Sequence, residues 1–164
     1  MHLFKHKPDP DKLFLEYGDM LYRLALAKLC NDADAQDVVQ NVFLKYMTAG
    51  TSFENKEHEK AWFLRTAINS CLDVLRKQKV RNTVPLDDAL YVAAENQNDL
   101  HDLLSLLEQI PPIYKDVVIL HSLEGFKLEE TASILNISLS AAKMRLSRAK
   151  NILQILREEK NDVY

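Results

Sequence analysis

The chain has 164 residues, of which 47% are hydrophobic and 27% are charged, and its formal net charge is −3. This length allows one ordinary domain or two small ones, and the hydrophobic content excludes a wholly disordered chain. The slightly negative charge excludes a simple basic nucleic-acid binder, so any DNA contact has to come from local basic patches or from a partner.

Helices are predicted along most of the chain, because apolar residues recur at intervals of three, four or five residues. The turn formers are few, with 3 glycines and 5 prolines in the whole sequence. The alternation typical of strands is not found. The predicted elements, in chain order, are a helix from Leu13 to about Asn31, a second carrying Val38 to Tyr46, a loop over residues 48–58, a third helix over about residues 59–79, a helix from Leu100 to Ile110, a helix between Pro112 and Gly125, a short helix over about residues 128–135, and a last helix over about residues 139–158.

Residues 82–99 break the helical periodicity and are acidic, with Pro85 among them. This pattern predicts a linker, with room for a short helix around residues 89–94. The expected fold class is therefore all-α, with two small helical domains, residues 1–81 and residues 100–164, joined by an acidic linker.

Several classes of protein are disfavoured by what the sequence lacks. Cys30 and Cys71 fall on apolar helical faces without a Cys-x-x-Cys pair, so buried reduced thiols and a cytoplasmic location are expected. The first residues lack the apolar run of a signal peptide, and no stretch predicts membrane insertion. The histidines are scattered and no phosphate loop or nucleophile motif appears, so we expect no metal, no cofactor and no enzymatic activity.

Residues 127–150 have the layout of a helix-turn-helix, in which a short helix, a tight turn and a longer basic helix follow in order. The positions spaced to bury between the two helices are Ala132, Leu135, Ile137, Ala142 and Leu146. The face left exposed carries cations and hydroxyls that can bond guanine edges or phosphates. A helical pair with a solvated basic face is the alternative.

The third predicted helix combines aromatic and basic side chains. Trp62 and Phe63 can stack on unpaired bases, Asn69 can bond a base edge, and the run from Arg76 to Arg81 can hold phosphates. The alternative is that the aromatic residues belong to the core and the cations form a solvated helix end.

Taken together, these segments resemble the sigma-70-type RNA polymerase sigma factors. Residues 34–43 are similar to the region 2 helix with an Asp-x-x-Gln-x-x-Phe pattern, residues 60–76 to the promoter-melting part of region 2, and residues 110–153 to region 4. Because only regions 2 and 4 are present with a short linker, the chain resembles the extracytoplasmic-function group.

The resemblance implies three sets of contact residues. Those implied for core polymerase are Asp34, Asp37, Gln40, Asn41 and Phe43, with Phe43 assigned either to the interface or to the core. Those implied for the −10 element are Phe53, Asn55, Lys56, Trp62, Phe63, Arg65, Asn69, Asp73, Arg76 and Lys77. Those implied for the −35 element are Ser140, Lys143, Met144, Arg145, Ser147 and Arg148, with Ser140 and Arg145 assigned to phosphate or packing positions.

The residues implied for the −10 element have a physical role in promoter opening, because a base that leaves the stack has to be captured in a pocket. The resemblance implies that the loop at residues 53–56, together with Asn69 and Asp73, holds that base.

His121 aligns with a phosphate-contacting position, but a lone histidine is more often incidental. Lys127 and Asn136 depart from the family's usual capping hydroxyl and turn glycine. Asn136 can take the left-handed conformation that glycine usually adopts at such a turn.

The implied partners are core RNA polymerase, through its β′ clamp and β flap, promoter DNA, and an anti-sigma protein. Residues Ala141 and Ala142 replace a common Thr-Val pair, which leaves the −35 preference open. We also expect the acidic linker to thread a basic polymerase channel.

The rival hypothesis is a stand-alone regulator that uses only the helix-turn-helix, with residues 1–80 as a sensing or dimerising module.

Overall fold

A computed structural model of the protein describes residues 7–81 and 97–162. The chain divides into two compact units, Met1–Asp87 and Asp88–Tyr164. Within the described ranges every regular element is helical, and no helix there is both long and apolar enough to cross a membrane. Most of the predicted linker, the short helix predicted around residues 89–94, and the proposed threading of a polymerase channel lie outside the described residues.

Three helices that pack against one another form the first unit: α1 (Pro10–Leu29), α2 (Asp32–Ala49) and α3 (Lys56–Arg81). Helix α1 is followed by Cys30, which has a φ of 52° and donates its backbone N–H to the Leu26 carbonyl at 2.8 Å. Asn31 then caps α2, because its side chain accepts the Asp34 N–H at 2.9 Å. The short polar connection therefore stops one helix and starts the next.

The loop before α3 is shorter than predicted, spanning residues 50–55 instead of 48–58. The cause is Asn55, whose side chain accepts the His58 N–H at 2.8 Å and whose carbonyl accepts the Glu59 N–H at 3.1 Å. An Asn side chain at this position satisfies an otherwise unpaired helix donor. The helix consequently begins three residues before the predicted start, at Lys56.

Aromatic rings form the centre of the first unit. Phe63 is fully buried, and its ring centroid lies 5.0 Å from Tyr17, 5.3 Å from Phe43 and 5.5 Å from Tyr46. Each of the three helices contributes to this cluster, so α1, α2 and α3 share one core. A buried aromatic cluster of this kind supplies much of a small domain's apolar burial.

The second unit contains α4 (Gln97–Glu108), α5 (Pro112–Val117), a π-helical segment (Val118–Leu123), α6 (Leu128–Leu135) and α7 (Leu139–Asn161). Helix α4 includes the last three residues assigned to the linker, and α7 extends three residues beyond the predicted end. Helix α6 has the predicted bounds. Helices α5 and α6 both pack against α7.

One regular helix was expected between Pro112 and Gly125, but its second half is π-helical. The segment closes at Gly125, where φ is 77° and the next residue, Phe126, donates its N–H to the Leu120 carbonyl at 3.0 Å. The His121 ring nitrogen Nδ1 lies 2.8 Å from the Phe126 carbonyl. This histidine therefore has a local partner at the end of the helix.

Candidate nucleic-acid interface

The turn between α6 and α7 has the geometry of a helix-turn-helix. Asn136 adopts the left-handed conformation with a φ of 54°, as predicted from its side chain. The next residue, Ile137, donates its N–H to the Ala132 carbonyl at 3.0 Å, which closes the end of α6. Ser138 then caps α7 by accepting the Ala141 N–H at 3.0 Å. Ala at 141 therefore leaves the start of α7 capped.

The start of α6 is stabilised without a capping hydroxyl on residue 127. The Lys127 N–H donates to the Glu130 carboxylate at 3.0 Å, and the Thr131 hydroxyl donates to the Lys127 carbonyl at 3.0 Å. The first of these bonds is one half of the usual capping box, in which the third helical residue bonds back to the cap. The departure at Lys127 is thus compensated by its neighbours.

Small residues bring α6 and α7 together. Ala132, Ala142 and Leu146 are buried, as predicted. Leu135 and Ile137 were also expected to be buried between the helices, but both are half-buried. Alanine at two of these buried positions, Ala132 and Ala142, leaves room for the two helix backbones to approach.

The opposite face of α7 carries the predicted −35 residues. The exposed members are Ser140, Lys143, Met144, Ser147 and Arg148, and Arg145 is half-buried. The Arg148 guanidinium donates to the Tyr114 hydroxyl of α5 at 3.3 Å. Sequence reasoning missed Tyr114, because the two residues are 34 positions apart and no local pattern joins them.

Helix α3 presents a polar stripe along one exposed face. Its members follow one another at intervals of three or four residues, which places them on the same side of a helix; they are Arg65, Asn69, Asp73 and Arg76, with Lys77 beside the last of them, and all five are exposed. The stripe ends with an ion pair in which the Arg76 guanidinium lies 3.7 Å from the Asp73 carboxylate.

The aromatic pair that precedes this stripe is divided between core and surface. Phe63 is fully buried, so the structure agrees with the core alternative for this residue and contradicts its assignment as a DNA contact. Trp62 is half-buried and packs edge-on against Phe63 at 5.1 Å. A buried ring cannot stack on a base unless the domain opens, whereas a half-buried indole keeps one surface accessible.

Three side chains expected to hold a flipped base already have partners within the protein. The Phe53 ring stacks on Tyr46 at 6.1 Å and contacts Trp62 at 5.8 Å. Asn55 caps α3, as described above. The Lys56 amine lies 2.9 Å from the carboxylates of both Glu16 and Glu59. The loop is therefore anchored on both sides, by rings and by polar bonds.

Glu59 is the centre of the polar anchor and is only 4% exposed. It accepts hydrogen bonds from the Tyr17 hydroxyl at 2.8 Å and from Lys56 at 2.9 Å. Burial, together with the bond to Glu59, raises the pKa of Tyr17, and the bonds to Glu59 and Glu16 raise the pKa of Lys56. Both donors therefore keep their protons at neutral pH. Sequence reasoning missed Glu59, since it lies in a polar run.

Helix α2 carries the residues expected at the polymerase interface. Asp37, Gln40 and Asn41 are exposed at three- and four-residue spacing. Asp34 is half-buried and accepts a hydrogen bond from the Gln78 amide of α3 at 2.8 Å. Phe43 is 7% exposed and contacts Phe63. Phe43 belongs to the core, which corrects its placement at the interface.

The described residues contain no group of three or more His, Cys, Asp or Glu side chains that could hold a metal ion. Cys30 and Cys71 are both free thiols, and both are buried, as the sequence predicted for their position. The chemistry that this surface offers is hydrogen bonding, stacking and charge, which are the means by which proteins recognise nucleic acids.

Comparison with known proteins agrees with this arrangement. Residues 13–81 match the family model described as Sigma-70 region 2, and residues 100–153 match Sigma-70, region 4. The RNA polymerase sigma factor SigV of Bacillus subtilis is 34% identical over 137 residues, which cover 82% of each chain. The ECF RNA polymerase sigma factor SigM of Mycobacterium tuberculosis is 28% identical and covers 85% of this chain and 72% of its own.

Two solved structures are similar to the chain as well. The sigma factor RpoE, solved in complex with the anti-sigma factor NepR from Bartonella quintana, has a TM-score of 0.76 at 26% identity, covering 90% of this chain and 96% of its own. CnrH, solved with the cytosolic domain of CnrY, has a TM-score of 0.73 at 23% identity, covering 92% and 88%. At that identity the second likeness concerns the fold alone.

Proposed function

We propose a residue-level division of promoter recognition for this chain, which belongs to the sigma-70 family as an RNA polymerase sigma factor of the extracytoplasmic-function group. As a sigma factor it binds core polymerase and directs it to promoters. In our proposal the first unit contacts polymerase and the −10 element, and the second unit contacts the −35 element. The chain itself catalyses no reaction and works in the cytoplasm.

The −35 contacts are assigned to the exposed face of α7. Lys143 and Arg148 are the donors suited to guanine edges or phosphates, Ser147 can bond either, and Met144 can contact a thymine methyl group. Half-buried Arg145 is assigned to packing or to a phosphate, and Ser140 to a phosphate near the start of the helix. The exposure of this cationic face beside a capped turn is the observation that carries the proposal.

The −10 contacts are assigned to the α3 stripe and to the loop beside it. Arg65, Asn69 and Asp73 lie on one exposed face, where an amide and a carboxylate can bond the edge of an unpaired base and the arginine can hold a phosphate. Arg76 and Lys77 continue the same face toward duplex DNA. Trp62, half-buried above the core, offers a ring to the opened strand.

Contact with core polymerase is assigned to α2. Asp37, Gln40 and Asn41 are exposed on one face and are proposed to bind the β′ clamp. Asp34 contributes through its charge, while its bond to Gln78 fixes its position. The second unit is proposed to bind the β flap. Polymerase supplies the affinity for DNA that a chain of net charge −3 lacks by itself.

An anti-sigma protein is the third proposed partner. RpoE, one of the similar structures, was solved in complex with a protein named as an anti-sigma factor. In this chain, Phe14, Leu15 and Leu44 are large apolar residues that are more than half exposed. Exposed apolar surface of this kind is typical of protein interfaces. Because Leu44 lies one helical turn beyond Gln40 and Asn41 on α2, an antagonist that covered it would compete with polymerase.

The proposal is tested by run-off transcription with purified core polymerase and a promoter library. The wild-type chain is expected to direct initiation, Asp37→Ala with Gln40→Ala to weaken binding to core, and Asn69→Ala with Asp73→Ala to reduce promoter opening at unchanged core binding. Glu57→Gln, on an exposed position outside all three sets, is the control. A chain that binds promoter DNA tightly without polymerase and never co-purifies with it would instead support the stand-alone regulator.

A further inference from the structure

The loop at residues 50–55 needs a fixed shape if its neighbours are to capture one base. Its aromatic side is held by Phe53, whose ring packs against Tyr46 and Trp62. Its polar side runs directly into the first turn of α3, because Asn55 bonds the His58 N–H and Glu54 donates its N–H to the His58 ring at 3.3 Å. Any movement of that turn therefore moves the loop.

The first turn of α3 is joined to α1 by a buried carboxylate. Glu59 accepts the Tyr17 hydroxyl of α1 and the Lys56 amine of its own turn, and Lys56 also bonds Glu16 of α1. The Lys56 amine also lies 5.9 Å from the centre of the Tyr17 ring. The four side chains form a continuous polar connection between α1 and the residue that follows Asn55.

A buried carboxylate is a poor choice for stability alone. Removing the charge from water is costly, and well-packed apolar residues of similar size often support an equally stable fold. A carboxylate makes directional hydrogen bonds, which require its two partners to lie at defined positions. Its placement at 4% exposure, next to the loop and not at the middle of the core, suggests a role in geometry.

We propose that Glu59 is a positioning residue for −10 recognition: by joining Tyr17 and Lys56 it fixes the first turn of α3, and with it the loop at residues 50–55. The proposal rests on the assignment of the −10 contacts to this loop and to the α3 stripe. In this proposal, Lys56 and Asn55 serve mainly to hold the loop, and the exposed residues around them contact the unstacked base of the −10 element.

Glu59→Met, alone and combined with Tyr17→Phe, separates positioning from folding. Methionine fills a similar volume without a buried charge. Alone it leaves the buried Tyr17 hydroxyl without its acceptor, so the midpoint of thermal unfolding is expected to fall; the double variant removes both polar groups and is expected to regain stability. Preference for the best −10 sequence is expected to fall about fivefold or more, within the range that one specific base contact provides. Glu57→Gln removes an exposed carboxylate from the same turn and is expected to change neither quantity.

Tyr17→Phe provides a second variant that keeps the buried ring and removes only the hydroxyl. It is expected to reduce the −10 preference less than Glu59→Met does. The double variant is expected to be no worse than Glu59→Met alone, because both changes break the same connection. Preference at the −35 element is expected to remain at the wild-type value in all variants.

The measurement uses holoenzyme reconstituted with core polymerase. Binding of single-stranded oligonucleotides with each base in turn at every position of the −10 element gives the preference, and thermal unfolding of the free chain gives stability. Loss of −10 preference at retained stability supports the proposal. A Glu59→Met holoenzyme with wild-type preference overturns it, as does a loss that follows stability across the variants. If wild-type holoenzyme has no −10 preference at all, the proposed function itself fails.

Discussion

The two units of this sigma factor hold their contact residues in different ways. In the first unit, side chains near the proposed −10 site are joined to other helices by bonds that cross long stretches of sequence, such as Tyr17 to Glu59 and Gln78 to Asp34. In the second unit, the reading face of α7 is exposed, and from it Arg148 donates a hydrogen bond to Tyr114 of α5.

This difference agrees with the tasks that we assign to the units. A helix that reads paired bases needs only exposed side chains at helical spacing, because the DNA groove presents its edges in a fixed pattern. A site that captures an unstacked base has to provide the pocket itself. We therefore expect changes in the first unit to act through geometry and changes in α7 to act through single contacts.

The largest expected effect is at the aromatic centre of the first unit. Phe63→Ala removes a fully buried ring that packs against Tyr17 and Tyr46, and we expect a loss of about 3–5 kcal/mol in the free energy of unfolding. Urea unfolding followed by the fluorescence of Trp62, the single tryptophan, reports on this unit. Phe14→Ala, at a ring that is 52% exposed, is the control and should cost much less. Similar losses for both would contradict the assignment of the core.

The next effect concerns the alanine contact between α6 and α7. Ala142 is fully buried, so Ala142→Leu is expected to overpack the helix pair and to lower the stability of the second unit by about 1–3 kcal/mol. Its half-buried neighbour Ala141 gives the control, Ala141→Leu, with a smaller expected change. Thermal unfolding followed by circular dichroism measures the change. Equal losses in the two variants would contradict the close packing at Ala142.

A smaller effect is expected at the proposed −35 contact itself. Arg148→Ala is expected to weaken binding of holoenzyme to promoters that depend on the −35 element by about 1–3 kcal/mol, the cost of losing one bidentate base contact. Arg157→Ala removes an exposed cation farther along α7 and serves as the control. Equal losses in the two variants, measured as promoter affinity at one salt concentration, would assign both residues to general charge attraction.

The smallest effect is expected at Tyr114. Tyr114→Phe removes the hydroxyl that bonds Arg148 and keeps the ring. The expected loss of −35 affinity is about 0.5–1 kcal/mol, because this hydrogen bond is long and exposed to solvent. Combined with Arg148→Ala, the change should have no further effect, which a double-mutant comparison of promoter affinity would measure. Additive losses would show that Tyr114 acts independently of Arg148.

Sequence reasoning was most accurate where structure depends on local pattern. The bounds of α6, the left-handed Asn136 and the exposure of Lys143 and Arg148 all follow from helical spacing and turn chemistry. The π-helical segment Val118–Leu123 was not predicted, because its apolar spacing is also that of a regular helix.

The first unit was harder to predict, because its details depend on tertiary contacts. The resemblance assigns Asn55 to DNA, although its side chain caps α3. The sequence pattern allows Phe43 and Phe63 to lie at the surface or in the core, and in the structure both are buried. Glu59 could not be recognised, since its partner Tyr17 is 42 residues away in the sequence. Partners at such distances leave no periodic signal in a single sequence.

The division of promoter recognition between the two units is tested most directly by crossed promoter preferences. Holoenzymes with wild-type chain, Asn69→Ala or Arg148→Ala would transcribe a library in which the −10 and −35 elements are randomised independently, and the transcribed promoters would be sequenced. We predict that Asn69→Ala changes only the preferred −10 sequence and that Arg148→Ala changes only the preferred −35 sequence. A change of both elements by either variant, or of neither element by both variants, would contradict the division.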